Sequence, residues 1–289
     1  MRVTERGLLQ LAARGSEAAR TRLARAAQAA SSGVRVDRPS VDVAAWVTSR
    51  RAAADKIGAD ARGKAIGAAQ DRLAAMERSV TDVQEMLTRT RELGIQLTTA
   101  TMSAREREFG AAELRSLRAA ALAALNARDV DGAFLFAGAA NGSAPFDASG
   151  LYQGSTEVRR VELGPGWLGA TEVTADQLDA PQGALFATID AMITGLDAND
   201  PVAVRAQLDP VTALIDRATL VRGAIGERAR ALGEADDARR ELADALVLRR
   251  DESIGADMVG SATELVDAKS TLENAQTVAQ QLVSLLKQG

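Results

Sequence analysis

Proline is confined to six positions in this chain, and their placement limits where helices can break. They are Pro39, Pro145, Pro165, Pro181, Pro201 and Pro210. Because proline lacks a backbone donor and clashes with the preceding turn, it interrupts α-helices, and residues 40–144 and 211–289 are free of it. Hydrophobic residues make up 46% of the chain but aromatic residues only 3%, so small and aliphatic side chains supply the core. The sequence therefore predicts a mainly α fold with long helices in both halves.

Composition also excludes several classes of function. The 289 residues include no cysteine and no histidine, which removes disulfides, thiolate nucleophiles, imidazole bases and ordinary zinc sites. Asp129, Asp131 and Asp147 flank glycines, and we expect them to face solvent in turns rather than to bind a metal or act as a carboxylate pair. The remaining carboxylates, lysines and single tyrosine form no catalytic constellation. We predict no enzymatic activity, no catalytic residue, no cofactor and no metal.

Charge and hydropathy limit the kinds of partner that the chain can bind. The net charge is −4, and the basic residues are spread among a similar number of acidic ones, so nucleic acid is not a favoured partner. No run approaches the roughly 20 apolar residues that span a bilayer, and the start lacks the apolar core of a cleavable signal. The Arg-rich start has some character of a mitochondrial transit peptide, but Glu5 and Glu17 argue against it. We expect a chain without a Sec signal and without a membrane partner.

Both ends of the chain carry seams of apolar and small residues with alternating spacings of three and four, the pattern of a coiled coil. The N-terminal seam comprises Leu9, Ala12, Ser16, Ala19, Leu23, Ala26 and Ala30. The C-terminal seam comprises Ile254, Met258, Ser261, Leu265, Ala268, Leu272, Ala275, Ala279, Leu282 and Leu286. We expect the two to pair. Because such thin seams bury little apolar area, we expect both helices to be loose until self-assembly supplies further contacts.

Two further seams predict the body of a helical bundle. One comprises Ile66, Ala69, Leu73, Met76, Val80, Val83 and Leu87. The other comprises Ala218, Val221, Ile225, Leu232, Ala235, Leu242 and Leu246. A single helix over 40–105 would be about 100 Å long, which predicts an elongated rod of long antiparallel helices. Shorter helices are expected over 111–128 and 185–196.

The middle of the chain has a different character. Five of the eight aromatic residues fall in one glycine-rich window and are Phe134, Phe136, Phe146, Tyr152 and Trp167. Residues 133–137 form a short β-prone run, and 151–163 predict a strand pair. We therefore predict three domains: a terminal coiled-coil assembly domain (1–39 plus 255–289), a helical bundle (40–131 plus 176–254) and a small β-hairpin insertion (132–175).

The order of these segments, together with local motifs, resembles the flagellin superfamily and, within it, the L-type hook-associated proteins. The chain opens with MRVT, and SSGVRV over 31–36 followed by Pro39 and Ser40 is similar to the family's turn between the first two helices. This turn predicts a helix that stops at Gly33 and a new helix capped by Ser40. Val41-Asp42-Val43 stands where the family usually carries a DDP-like triplet.

The more specific resemblance lies in mid-chain. NARDVDGAFLFAG over 126–138, followed by Pro145-Phe146 and Tyr152-Gln153-Gly154, is similar to the N…G.YLFAG…PF…Y.G pattern of the L-type proteins. RGAIGER over 222–228 is similar to the family's R..IG.R segment, and 257–265 and 272–275 resemble its terminal helix. The chain departs from the pattern at its end, which reads Lys287-Gln288-Gly289.

This resemblance implies a structural adaptor that is exported unfolded through the flagellar type III apparatus and assembles as a ring at the hook-filament junction, outside the cell. The implied partners are further copies of the chain, the K-type hook-associated protein, flagellin and a flagellar export chaperone. We expect the assembly interface to use Leu9, Ala12, Ala19, Leu23, Leu265, Leu272, Leu282 and Leu286. A structural motif is expected to hold the insertion on the bundle through Phe134, Phe136, Gly138, Pro145, Phe146, Tyr152 and Gly154.

Two alternatives remain open from the sequence. Flagellin itself, the filament subunit, shares the terminal helices and the bundle, but the FLFAG window favours the junction protein. A signalling coiled coil, such as the cytoplasmic hairpin of a chemoreceptor, requires a helical tip where this chain carries its glycine-rich insertion.

Overall fold

A computed structural model of the chain describes residues 5–164, 166–179 and 181–288, and the side chains of these residues other than 5, 6, 9 and 285–288. The α-helices of this part are α1 (Glu5–Ser32), α2 (Val43–Leu97), α3 (Ala104–Leu125), α4 (Ala184–Asp197), α5 (Pro201–Arg205), α6 (Leu208–Ile254) and α7 (Met258–Gln288). The strands are β1 (Arg160–Gly164) and β2 (Trp167–Ala170). The predicted mainly α fold with a small mid-chain β insertion is confirmed.

The chain divides into two compact units. Unit 1 consists of Met1–Ala59 and Glu241–Gly289, and unit 2 consists of Asp60–Arg240. The boundaries of these units fall inside α2 and α6. The division into three domains stays a prediction.

In unit 1, α1 packs against α7. Main-chain hydrogen bonds join the segment that follows α1 to the segment that precedes α7. Arg35 N–H donates to the Ile254 carbonyl at 2.7 Å, and Ala256 N–H donates to the Gly33 carbonyl at 2.8 Å. Gly33 has a φ of +68°, which favours glycine and ends α1 as predicted.

The start of α2 differs from the prediction. The helix begins at Val43, and its first turn is capped by Asp42, whose carboxylate accepts a hydrogen bond from Ala45 N–H at 3.0 Å. Ser40 lies in the preceding turn. The reason is local: an aspartate immediately before the helical run is an effective N-cap.

In unit 2, the two predicted bundle seams meet in one core. Residues of α2 and α6 in this core are almost fully buried, including Ile66, Met76, Val83, Ala218 and Ile225. Helices α3 and α4 complete the bundle, and Leu114, Leu125, Leu185 and Ile189 join the same core. Two predicted seam members lie in unit 1: Leu246 is buried there, whereas Leu242 is 41% exposed.

The single helix considered over 40–105 is in fact two helices. α2 ends at Leu97, and α3 starts after Ser103, whose side chain accepts from Glu106 N–H while the Glu106 side chain accepts from Ser103 N–H. This capping box fixes a helix start within the expected continuous helix. Consequently α3 covers 104–125 rather than 111–128, whereas α4 lies close to its predicted range.

The β structure is also displaced from its prediction. β1 and β2 pair antiparallel with Arg160 opposite Ala170, and Gly166, with a φ of +73°, lies in the turn between them. Residues 151–159 form no strand, and 133–137 form only an isolated bridge between Arg128 and Phe134. Their backbone groups bond to separate loop segments, so no regular ladder forms. Among the described residues, no helix is both long and apolar enough to cross a bilayer.

Candidate assembly surface and insertion motif

The terminal seams face each other within one chain. Ala19, Ala26 and Ala268 are buried where α1 meets α7. The side chains of Ala12, Leu23, Leu265, Leu272 and Leu282, all predicted interface residues, are half-buried at the same contact. The side chains of Leu9 and Leu286, the other two, lie outside the described residues. The small residues thus close the contact, while each leucine keeps part of its surface uncovered.

Charge adds little to this intramolecular contact. The one ion pair recorded between the described parts of α1 and α7 joins Arg22 to Glu264 at 4.0 Å, with both side chains more than half exposed. Exposed pairs of this kind contribute about 0–1 kcal/mol. The helix pair therefore depends mainly on its partly buried seam.

The predicted aromatic motif converges in unit 2. Phe136 and Phe146 are almost fully buried, and the Phe146 ring lies edge-on to Tyr152 at a centroid distance of 5.4 Å. Phe146 also contacts Phe186 of α4 at 5.5 Å. Phe134 packs under the Arg128 guanidinium, which lies 4.0 Å from the ring centroid. Edge-on aromatic pairs add about 0.5–1.5 kcal/mol to the burial of their surface.

The two glycines of the motif let other parts of the chain approach the backbone closely. Gly138 has a φ of +58°, and a Cβ there would lie 2.3 Å from the Ser155 carbonyl oxygen. A Cβ on Gly154 would lie 2.4 Å from the Tyr152 hydroxyl. Pro145 is buried beside Phe146 in the sequence. The two glycine positions therefore exclude larger residues for steric reasons.

Hydrogen bonds connect the separate parts of the motif. The Asn126 side chain pairs with the backbone of Phe146, accepting from its N–H and donating to its carbonyl, both at 3.0 Å. The Tyr152 hydroxyl lies 2.9 Å from the Ser155 carbonyl and 3.1 Å from that of Phe136. Burial raises the pKa of Tyr152 well above its usual range, so the phenol remains a donor.

Arg72 of α2 connects the bundle to this motif, and the sequence reasoning missed it. Its guanidinium pairs with Asp129, and it donates to the carbonyls of Phe134 at 2.6 Å and Leu135 at 3.0 Å. Its Nε donates to Glu172 at 3.0 Å. The Arg72 side chain is 6% exposed and that of Glu172 is fully buried. The seam pattern did not indicate that Arg72 is buried, because Arg72 directly precedes the core residue Leu73 and is not itself a seam position.

Glu172 also accepts hydrogen bonds from two other arginines. Its carboxylate accepts from Arg159 N–H at 2.7 Å, and its carbonyl accepts from Arg228 of α6 at 2.8 Å. Burial lowers the pKa of Arg228 from its ordinary value. The network joins α2, α6, the 129–135 loop and the segment after β2.

The three aspartates considered in the sequence have separate roles. Asp129 is paired with Arg72 and largely covered, so its predicted solvent exposure is wrong. Asp131 is exposed. Asp147 closes a turn, and hydrogen bonds from the Ser149 hydroxyl and the Leu151 backbone lower its pKa. Among the described residues, no group of three or more acidic side chains is placed to hold a metal ion.

Comparison with known proteins tests the resemblance that the sequence indicated. Residues 9–141 match the family model of the bacterial flagellin N-terminal helical region. No protein with a curated description matches the chain.

Solved structures of flagellar proteins share the fold. A structure assigned to a flagellar hook-associated protein of Vibrio parahaemolyticus superposes with a TM-score of 0.69 at 22% identity, covering 74% of this chain and all (100%) of that one. FlgL of Bacillus cereus superposes with a TM-score of 0.60 at 18% identity, covering 68% and 97%. Hook-associated protein 3 of Legionella pneumophila superposes with a TM-score of 0.62 at 15% identity, covering 69% and 97%. The resemblance expected from the sequence is therefore confirmed: residues 9–141 match the flagellin N-terminal helical region, and the chain shares its fold with FlgL and hook-associated protein 3.

Proposed function

We propose that this chain is a structural adaptor of the bacterial flagellum that joins the hook to the filament by self-assembly at their junction. The observation that carries the proposal is the combination of a flagellin N-terminal region with a fold shared with hook-associated proteins. No catalytic step is required of such a protein. Its work is to present one surface to the hook side and another to flagellin.

The α1–α7 pair supports a role in assembly. Leu23, Leu265 and Leu272 are only half-buried in one chain, so contact with neighbouring copies can cover more apolar surface. A helix pair that gains much of its stability from neighbours has low stability in the monomer, which suits export of an unfolded chain. The predicted interface residues therefore form part of the proposed assembly region.

The proposal includes the expected partners and location. Further copies of the chain, the K-type hook-associated protein and flagellin would border it in the extracellular flagellum, and an export chaperone would cover α7 before secretion. The buried motif around Phe146 and Arg72 would keep the insertion fixed on the bundle while the terminal helices assemble. Flagellin remains the second candidate, because the matched N-terminal region belongs to the flagellin family model.

Deletion of the gene in its host tests the proposal. We expect hooks without filaments and unpolymerised flagellin in the medium, both reversed by the wild-type gene on a plasmid. Loss of filaments with no flagellin in the medium would identify the chain as the filament subunit instead. Normally swimming cells would contradict a flagellar role.

A further inference from the structure

Helix α2 begins with an apolar stripe that no other described part of unit 1 covers. Val43, Val47 and Ile57 are 65%, 52% and 70% exposed. Together with Arg50 and Ala54, which are also exposed, they recur at spacings of four and three and so share one side of the helix. We call these five residues the α2 face. Contiguous exposed apolar residues of this kind mark interaction surfaces more often than isolated ones do.

Helix α7 carries a second stripe with the same spacing. It consists of Val259, Thr263, Val266, Ser270 and Glu273, all exposed. Val259 is 77% exposed and Val266 is 63% exposed. We call these residues the α7 face. It lies on the side of α7 away from the seam that contacts α1, so the intramolecular helix pair leaves it free.

The two faces have complementary charge. Arg50, on the α2 face, lies 5.6 Å over the Trp46 ring, and neither it nor Arg51 forms an ion pair with a carboxylate in the described part of the chain. Glu273, on the α7 face, and the neighbouring Asp267 likewise form no ion pair there. Two α2 faces brought together would repel, whereas an α2 face and an α7 face would attract. Both have the spacing that lets two helices pack side by side.

We propose that the α2 face of one copy binds the α7 face of the next copy, as a head-to-tail contact within the assembled junction. The inference rests on the proposed function and adds the surfaces that join neighbouring copies. A heterologous contact leaves one unused face at each end of a growing series, so it produces a ring or a helix rather than a closed dimer.

The small size of the contact fits this arrangement. Each face spans 15 residues, or about 21 Å of helix at a rise of about 1.5 Å per residue. One such stripe is too small to hold two free chains together, but it contributes when several contacts form at once. The contact therefore forms in the assembly and leaves purified chains monomeric when dilute.

Site-specific cross-linking tests the proposal, because the chain has no cysteine of its own. Cells lacking the wild-type gene would produce two full-length forms, one with cysteine at Val43, Val47 or Ile57 and the other with cysteine at Val259 or Val266. Isolated flagella would be treated with a short bis-maleimide. We expect a covalent dimer of the two forms for at least one pair, and none when only the α2-face form is present.

The matched control pairs Leu220→Cys with Val266→Cys, since Leu220 is 73% exposed but belongs to unit 2 and to neither face. Cross-linking of an α2-face cysteine to itself, to a protein of another mass, or in none of the pairs would overturn the inference. Absence of the chain from the flagella would instead overturn the proposed function.

Charge exchange provides a second readout. We expect Arg50→Glu with Arg51→Glu to abolish filament attachment, and the further changes Asp267→Arg with Glu273→Arg to restore it. Far-UV circular dichroism of each purified variant would show that the exposed substitutions leave the helices folded. Normal filaments with the first pair of changes alone, or no restoration by the second, would contradict the proposed contact.

Discussion

At the scale of single residues, the insertion depends on a charged group buried beside the core. Arg72 donates to a fully buried carboxylate and to two main-chain carbonyls, so its removal would take a donor from both carbonyls and the nearest cation from Glu172. A buried ion pair is not a strong source of stability in itself, but breaking it from one side is costly. We therefore expect the network to fix the position of the insertion more than to add net stability.

Replacement of this arginine measures that cost. We expect Arg72→Met to lower the free energy of unfolding by about 3–5 kcal/mol, because the buried Glu172 carboxylate would lose its nearer cation and keep only Arg159, whose Nε lies 3.9 Å away. Urea unfolding followed by circular dichroism would measure the change. Arg78→Met on an exposed position of the same helix is the matched control and should change stability by less than about 0.5 kcal/mol. Equal effects of the two substitutions would show that the network has no special role.

A glycine position gives an independent residue-scale prediction. Gly138→Ala should destabilise the chain by about 1–3 kcal/mol, because its φ of +58° is unfavourable for alanine and the new Cβ would collide with the Ser155 carbonyl. Gly142→Ala places a Cβ in open space four residues later and should be nearly neutral. Thermal unfolding of the two variants distinguishes them, and equal melting temperatures would contradict the proposed constraint.

At the scale of elements, the seams predicted the helices better than their ends. The heptad positions from Ile66 to Leu87 are buried as expected because periodicity reports which side of a helix faces the core. The starts of α2 and α3 depend on short polar contacts, the cap at Asp42 and the capping box at Ser103, which the spacing of apolar residues does not reveal.

The candidate site was predictable in part for the same reason. The aromatic and glycine members of the motif stand out by composition, and they do converge around Phe146. The strands were displaced because FLFAG bonds to loops rather than through a ladder: the Tyr152 hydroxyl donates to the Phe136 carbonyl, and Phe134 N–H donates to the Asn141 carbonyl. Arg72 was missed because its partners are 57 and 100 residues away, and only the folded chain brings them together.

The capping box at the start of α3 makes stability depend on pH. Hydrogen bonds from the Ser103 backbone and hydroxyl lower the pKa of Glu106. Since its pKa is lower in the folded than in the unfolded chain, the carboxylate stabilises the fold above its unfolded pKa and loses this effect as the pH falls through the folded pKa.

We therefore expect Glu106→Gln to show a smaller loss of stability than the wild type when the pH is lowered from about 5 to about 3. The urea midpoint measured at several pH values provides the test. Glu108→Gln, on the same helix but outside the capping box, is the control and should follow the wild-type curve. An identical pH dependence for all three proteins would exclude a contribution from the box.

At the scale of the whole molecule, the proposed assembly region lies outside the unit that contains most of the core. Unit 2 contains the large side chains and the buried networks, whereas the α1–α7 contact in unit 1 is closed mainly by alanines. The unit with the smaller apolar contact area is expected to unfold first, because burial of apolar surface dominates stability.

Charged substitutions in the seam test this division. Leu272→Asp with Leu282→Asp should remove the cooperative unfolding of the terminal helices and abolish filament attachment, while the transition of unit 2 stays unchanged. Calorimetry and swimming assays measure the two effects. Gln276→Asp with Gln280→Asp adds the same charge at exposed positions of α7 and should leave both intact. A seam variant that still attaches filaments would contradict the assignment of the terminal helices to assembly.

The main-chain bonds that join Arg35 to Ile254 and Ala256 to Gly33 have a consequence for changes in chain length. These bonds fix the end of α1 beside the start of α7. The positions of both seams are set from this common origin, backwards along α1 and forwards along α7. One residue inserted between this origin and a seam rotates every later position by about 100°, whereas an insertion of seven nearly restores the phase. An insertion between this origin and one seam therefore keeps the two seams facing each other only when its length is close to a whole number of helical turns, as seven residues are.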